Sequence, residues 1–360
     1  MLGDIEELQS LNKTFQQGEK LTKESFVFLS ELGKGSFGKV YKVSSASTNS
    51  LYALKVLSKN QINTLKLMPQ LKNEVSLLSR CSHVNIIKIY AAFEDNDYIY
   101  LIMELASDGS LFHRLKKEVR FSESQTANYM TDIIRAIQYL HGLNPPILHR
   151  DLKPENVLIC NDKLKIADFG WCNVDDSYRN TFCGTPDYLS PEMIKGIGHN
   201  EKLDIWTLGV LMYELLHGKP PFSPTEKAKD RRLLQKIIET NILNGNPVFD
   251  NKITQEAKEA ITIMLNPEPK LRPEAKELFN LNFFKKHKKH LLSPTSSRDI
   301  SSRHVEISEQ AKIENLENEL RKFKQINLEL NSKLESNNLI ISRLDNEKQQ
   351  IFKELQKMVN

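Results

Sequence analysis

The stretch LHRDLKPENVLI at residues 148–159, followed by KIADFG at 165–170, decides how the rest of the chain is read. It sets two acids, a lysine and an asparagine in a fixed order. Asp151 is placed to accept or orient the proton of an attacking hydroxyl, and Lys153, two residues on, to reach a transferring phosphoryl group. Asn156 and Asp168 supply oxygen ligands of the kind Mg²⁺ prefers. Phosphoryl transfer asks a protein mostly for positioning and charge neutralisation, so a base, a lysine and two metal-binding oxygens meet its needs. Any one of these residues would be unremarked as a turn cap. The whole set, in order and at this spacing, is not.

Upstream, Gly33-x-Gly35-x-x-Gly38-x-Val40 is a glycine-rich loop of the sort that lets backbone N–H groups approach phosphates. The same glycine spacing marks dinucleotide sites, but those need a helix to open at the third glycine. Here KVYKV, a polar turn SSASTNS and a further strand LYALKVL follow instead. A strand–loop–strand cover fits, and a dinucleotide oxidoreductase does not. Lys55 lies in YALKVL, where alternation points it away from the side taken by Leu54 and Val56. A helical stretch follows, marked by Leu67, Leu71, Val75 and Leu78. It carries Glu74, the only glutamate between Lys55 and Glu94. A lysine that grips α- and β-phosphates needs an anion to fix its long side chain, and Glu74 is placed to be that anion.

With these motifs the sequence resembles the eukaryotic protein kinases over residues 26–284. The resemblance implies an α+β, two-lobed fold, a β-rich N-lobe and an α-rich C-lobe with ATP and Mg²⁺ in the cleft. Under it the glycine-loop residues Leu32, Gly33, Lys34, Gly35, Ser36, Phe37, Gly38 and Lys39 cover the nucleotide. Val40, Ala53 and Leu158 sandwich the adenine, Met103 is the gatekeeper, and Glu104 and Ala106 form the hinge that offers backbone hydrogen bonds. Lys55 with Glu74 and Asp151 with Lys153 are the catalytic pairs, and Asn156 and Asp168 hold metal. Asp204 looks like the aspartate that braces the catalytic loop, and Glu192 with Arg272 like the buried pair under the activation segment. Ser190 stands where many kinases have alanine. Lys153 in HRDLKPEN matches the serine/threonine rather than the tyrosine class.

The segment ADFGWCNVDDSYRNTFCGTPDYLSPEM at 167–193, with EKLDIWTLGVLMYELLHGKPPF at 201–222, resembles the Aurora kinases of mitosis. LYALKVLSK and HGLNPPILHRDLKPENVLI add to the likeness. Related basophilic kinases share Cys-Gly-Thr and are the alternative. Cys172, Asn173, Pro186 and the C-terminal tail depart from the pattern and mark a divergent, protist-like member. The resemblance implies Thr181 as the activating phosphosite. A phosphate there adds about −1.5 to −2 charge and would pair with Arg150 and Arg179. Glu155 resembles the glutamate that attracts an arginine upstream of the target hydroxyl, so protein substrates with Arg-x-Ser/Thr motifs are expected. An activating partner on the N-lobe, and a place at the spindle, centrosome or basal-body cytoskeleton, are further implications.

Composition agrees with this reading. The 360 residues suffice for two lobes and an additional segment, and a net charge of only +4 argues against a dedicated nucleic-acid binder. The cysteines at 81, 160, 172 and 183 have neither metal-type spacing nor a disulfide framework, which fits reduced thiols in cytosol or nucleus. MLGDIEELQS does not read as a signal peptide, and no apolar run is long enough to span a bilayer.

The expected domain plan is an extension at 1–25, the kinase domain at 26–284, a basic and Ser-rich linker at 285–304, and a coiled coil at 305–360. KKHKKH at 285–290 reads as a solvated helix end. From Ile313 through Leu316, Leu320, Phe323, Asn327, Leu330 and Leu334 to Met358 the spacing alternates between three and four. That is a heptad seam. It predicts a homodimer or pairing with another coiled coil. A scaffold built on a pseudokinase is the competing function, and the intact Lys55, Asp151, Asn156 and Asp168 speak against it.

Overall fold

Strands form where β-branched and aromatic residues cluster, and helices where leucines and isoleucines recur at three and four. A computed structural model of the protein describes residues 21–35, 38–79, 81–167, 186–224 and 230–292. The N-lobe begins with β1 (Phe26–Lys34), β2 (Gly38–Ser45) and β3 (Leu51–Ser58). Two helices follow, α1 (Lys59–Thr64) and α2 (Met68–Ser79), then β4 (Ile89–Glu94) and β5 (Tyr98–Met103). All neighbours in the sheet order β1-β2-β3-β5-β4 are antiparallel. The expected helix through Leu71, Val75 and Leu78 is α2, while α1 is an additional turn capped by the Ser58 hydroxyl.

The two sheet faces bury different sets. Phe26, Val43, Leu54, Phe93, Tyr100 and Ile102 pack with Leu21 on one face. Leu57, Ile99 and Leu101 pack on the other, against Leu71 and Val75 of α2. Leu21 is buried here, so packing starts before the strand where the domain was expected to open.

The C-lobe is helical around one large core. It comprises α3 (Leu111–Glu118), α4 (Glu123–His141), the hairpin β6 (Val157–Cys160) and β7 (Lys163–Ile166), and α5 (Pro191–Lys195). α6 (Lys202–His217), α7 (Arg231–Asn244), α8 (Gln255–Met264) and α9 (Asn282–Leu292) complete it. Ser110, Ser122, Ser190 and Thr254 cap α3, α4, α5 and α8 by accepting the backbone N–H three residues on. Nearly every residue of α6 from Leu203 to Leu216 is buried, the mark of a helix enclosed on all sides. A β-carbon on Gly209 would come within 2.9 Å of Met264 and Leu265, so the approach of α8 to α6 requires glycine there. α9 continues to Leu292 with Lys285 and Lys286 exposed, so the first part of the expected linker is helical. The expected coiled coil at 305–360 lies outside the described residues.

Arg272 and Glu192 form a two-pronged pair at 2.7 and 2.8 Å, with Arg272 only 1% exposed. Burial alone would raise the Glu192 carboxyl, but the hydrogen bond and charge of Arg272 outweigh it and hold the carboxyl below its ordinary value. The guanidinium also donates to the carbonyls of Asn266 and Lys202 and lies 5.0 Å from the Trp206 ring centroid. A buried arginine with this many partners is satisfied; removing one partner would leave a naked charge.

Val119, which ends α3, has φ +66° and ψ −45°, a conformation that a β-branched residue adopts only under strain. Its side chain is 68% exposed, so little packing offsets the cost. Val119→Gly is expected to raise stability by about 1 kcal/mol, strain relief exceeding the extra unfolded-state entropy of glycine. Urea unfolding of the two proteins with an unchanged m-value checks this; a lower midpoint for the variant would show that the backbone there is not strained.

Candidate active site

The catalytic loop is built from Asp204 outward. This carboxylate, in the first turn of α6, has no exposed surface. One oxygen accepts the His149 N–H at 2.9 Å and the His141 imidazole at 2.8 Å; the other accepts the Arg150 N–H at 2.9 Å. Burial would push its pKa up, yet the hydrogen bond and charge of His141, the charge of His149 and the Arg150 amide together hold it below the usual carboxylate range. The bracing anticipated for Asp204 is therefore visible, and His141, which the sequence did not single out, is part of it. Arg150 adopts φ +67°, a left-handed conformation held by that amide bond. Its buried Nε has no hydrogen-bond partner among the described residues.

Beyond that bend Asp151 meets both expected neighbours. The Lys153 ammonium straddles its carboxylate at 2.8 and 2.9 Å. The Asn156 amide donates to the Asp151 carbonyl at 2.7 Å and to its carboxylate at 2.8 Å, which leaves the amide oxygen as an acceptor. Asn156 is itself fixed at the end of a short 3₁₀ turn, Pro154–Asn156, by bonds to Lys153 and Ala167. Asp168 lies outside the described residues, as do Thr181 and Arg179. Among the described residues no cluster of three or more His, Cys, Asp or Glu stands ready for a metal. The amide oxygen of Asn156, beside the Asp151 carboxylate, suits Mg²⁺, with Asp168 as the second expected ligand.

Strand registers assemble the cleft roof. Val40 faces Lys55, Lys55 faces Leu101, and Ala53 faces Met103 across neighbouring strands. Directly paired residues share a face, so Val40, Ala53, Lys55 and Met103 lie on the side that α2 covers, as alternation predicted for Lys55. Glu74 is in α2, but its side chain lies outside what the structure describes. Below, Val157 and Ile159 are fully buried while Leu158 between them is not, so Leu158 turns away from the C-lobe core. At the hinge the Glu104 carbonyl and the Ala106 N–H have no hydrogen-bond partner among the described residues. An adenine edge needs an acceptor and a donor of this kind.

The glycine loop is a hairpin turn, with Lys34 opposite Lys39 and the Gly35 N–H on the Gly38 carbonyl at 2.8 Å. Its glycines differ in purpose. A β-carbon on Gly38 would sit 1.8 Å from the Val56 carbonyl, so its absence serves strand packing. Among the described residues a β-carbon on Gly33 would meet nothing within 4 Å and one on Gly35 only a backbone oxygen at 3.9 Å, so packing does not require glycine at either. Leu32 and Lys34 are exposed, Lys39 is paired with Glu31 at 2.7 Å, and Ser36 and Phe37 lie outside the described residues. Glu155, in the 3₁₀ turn Pro154–Asn156, is exposed.

Near Glu155 stands Glu214, which the sequence reading passed over. The Tyr188 hydroxyl donates to it at 2.5 Å. Burial, opposed by that hydrogen bond and reinforced by the charges of Glu155 and Asp187, raises its pKa to about 7. A single acid in the otherwise apolar VLMYELL was the available signal.

Residues 26–284 match the family model described as protein kinase domain. A Candida glabrata protein named Aurora kinase is 42% identical over 249 residues, covering 68% of this chain and 67% of that protein. The Caenorhabditis elegans Aurora/IPL1-related protein kinase 2 is 38% identical over 271 residues, 75% of this chain and 85% of its own. Aurora kinase B of Danio rerio is 35% identical over 281 residues, 78% and 85% of the two chains. With a kinase-domain match over most of its length and Aurora relatives across that same span, the chain belongs to the protein kinase family, in its Aurora branch.

Proposed function

We propose that this Aurora-type serine/threonine kinase moves the γ-phosphoryl of ATP to protein hydroxyls with Asp151 as the base and Lys153 steadying the transferred group. The observation that carries the reading is the Asp151–Lys153–Asn156 cluster, its members 2.7–2.9 Å apart and its backbone anchored to buried Asp204. Kinases of this family use ATP with Mg²⁺. Adenine would lie between Val40 and Ala53 above and Leu158 below, with its edge on Glu104 and Ala106 and the phosphates under Gly33 and Gly35. Lys55 with Glu74 would hold the α- and β-phosphates, and Asn156 with Asp168 the metal, which supplies charge neutralisation at the phosphates. The chain's own residues orient the hydroxyl, take its proton at the Asp151 carboxylate and exclude water from above. A mitotic role at spindle, centrosome or basal-body structures, and an activating partner on the N-lobe, rest on family membership.

Substrates carry arginine upstream of the target hydroxyl, read by Glu155 and by Glu214. Activation follows phosphorylation of Thr181, whose phosphate would meet Arg150 and Arg179; the unpartnered buried Nε of Arg150 supports this. The heptads at 305–360 pair two chains in parallel. Asn327 at an a position is best satisfied by its twin across a parallel dimer, and Glu319 at g pairs with Lys324 at e of the other helix. Two kinase domains on one stem would phosphorylate each other at an effective concentration on the order of millimolar.

Asp151→Asn is expected to retain ATP binding and lose at least about a hundredfold in phosphoryl transfer, since it deletes the base and spares the nucleotide contacts. Nucleotide titration beside a peptide-phosphorylation assay measures both; near-normal turnover would remove Asp151 from the role.

Glu214 gains its charge only as pH rises through about 7, so its attraction for arginine grows over that interval. The ratio of kcat/KM for an arginine-containing peptide to that for its alanine counterpart should therefore climb several-fold from pH 6 to 8. Glu214→Gln should flatten the climb. An unchanged climb in that variant would assign it to another group.

Thr181 phosphorylation, followed by mass spectrometry, is expected to be insensitive to dilution in the full chain. It should become concentration-dependent when Leu320 and Leu334 are both replaced by proline, and Arg150→Ala should uncouple the mark from activity. Equal dilution behaviour with and without the prolines would count against the dimer.

A further inference from the structure

Lys165 belongs to no expected role, yet it reaches the hinge. It lies on β7 between Leu164 and Ile166, both with no exposed surface, so it projects from the opposite face of that strand. There it stands directly across from Leu158, the residue expected under the adenine. Its ammonium meets both oxygens of Glu104, at 3.0 and 3.1 Å. The pair is largely shielded, with side-chain exposures of 12% for Lys165 and 23% for Glu104. Water screens such a pair less than one on the open surface.

Glu104 is tied down from a second side as well. Its N–H donates to the Lys88 carbonyl at 2.9 Å, and its carboxylate accepts the Lys88 N–H at 3.3 Å. The segment that ends in Lys88 is joined to β7 in turn. The Ile166 N–H donates to the Asn85 carbonyl at 2.9 Å, the Ile87 N–H donates to the Ile166 carbonyl at 3.0 Å, and the Asn85 amide donates to the Leu164 carbonyl at 2.8 Å. A closed ring results: hinge to the start of β4, that segment to β7, and β7 back to the hinge through Lys165. The ring restrains the backbone around the Glu104 carbonyl and the Ala106 N–H through contacts within the chain alone.

We propose that Lys165 is a positioning residue for nucleotide binding, holding Glu104 through its carboxylate so that the hinge presents its acceptor and donor to adenine in a fixed orientation. The proposal rests on the reading of Glu104 and Ala106 as the adenine edge. A restrained edge spends less freedom on binding than a loose one, so the benefit falls on affinity. Because the clamp touches neither the phosphates nor Asp151, its loss raises KM for ATP and not the barrier to transfer.

The test uses the full-length protein, with Mg-ATP as ligand, in direct titration and in steady-state kinetics. Lys165→Met should raise Kd and KM for ATP about three- to tenfold, the scale of one shielded ion pair. Glu104→Gln should do the same, and the double variant should lose no more than either single one. Lys165→Arg, which keeps the charge, should stay near the parent value. Thermal unfolding of each variant separates weakened binding from a lost fold; if Lys165→Met is unfolded, the comparison of Glu104→Gln with Lys165→Arg decides. Parent-like ATP affinity in a folded Lys165→Met, an equal loss in Lys165→Arg, or a fall in kcat with KM unmoved would overturn the clamp. A parent protein that fails to bind ATP would overturn the nucleotide reading itself, and with it the clamp.

Discussion

Everything in the catalytic loop hangs from one carboxylate that water cannot reach. Asp204 accepts three N–H donors, two of them consecutive backbone amides of the loop it supports. A buried carboxylate without such partners would take up a proton or cost several kcal/mol. Here the donors make the charged form the favoured one. The exchange works in both directions: the loop satisfies the acid, and the acid fixes the loop. It also explains why α6 must be buried throughout. Only a helix sealed by Trp206, Leu208, Leu211 and Leu215 can hold its first turn in place under the loop. Arg272, paired with Glu192, lies over the Trp206 ring and donates to the Lys202 carbonyl, so it pins the same helix.

Most of this arrangement was legible in the sequence because its residues are close together in the chain. Asp151, Lys153 and Asn156 span six positions, and a short 3₁₀ turn is enough to bring them into contact. Strand alternation likewise foretold the face of Lys55, since period two needs no knowledge of what lies across. The helix through Leu71, Val75 and Leu78 followed from its own spacing. What could not be read were contacts that only tertiary packing creates. His141 lies 63 residues from Asp204, Lys165 lies 61 from Glu104, and Tyr188 lies 26 from Glu214. Nothing in KLKI says that its lysine will meet a hinge carboxylate. KKHKKH read as a helix end although the domain plan placed it in the linker, and α9 bears out the helix, with Phe283 and Phe284 buried at its start.

The glycine loop shows how one motif can hold two physical demands. Gly38 is glycine because the neighbouring strand leaves no room for a β-carbon, a requirement that would persist without any ligand. Gly33 and Gly35 meet no such neighbour. A pattern of three glycines is weak as a sign of phosphate binding because its last member can be accounted for by packing. The first two gain meaning because no packing among the described residues accounts for them.

Two residues with side chains adopt nearly the same unfavourable φ, Val119 at +66° and Arg150 at +67°, and the difference between them separates strain that serves the site from strain that does not. Arg150 is held by an amide bond to a carboxylate that is itself fully partnered, so the left-handed bend is over-determined by its surroundings. The bend delivers Asp151 to Lys153 and Asn156, and relaxing it would cost Asp204 one of its donors. No cap hydrogen bond accompanies the bend at Val119 among the described residues, and its side chain faces solvent. Its carbonyl does press on Gly218, where a β-carbon would come within 2.3 Å, so the chain is crowded there without being braced. Only at Arg150 does a buried charge depend on the bend, and that dependence holds the backbone next to Asp151 in place.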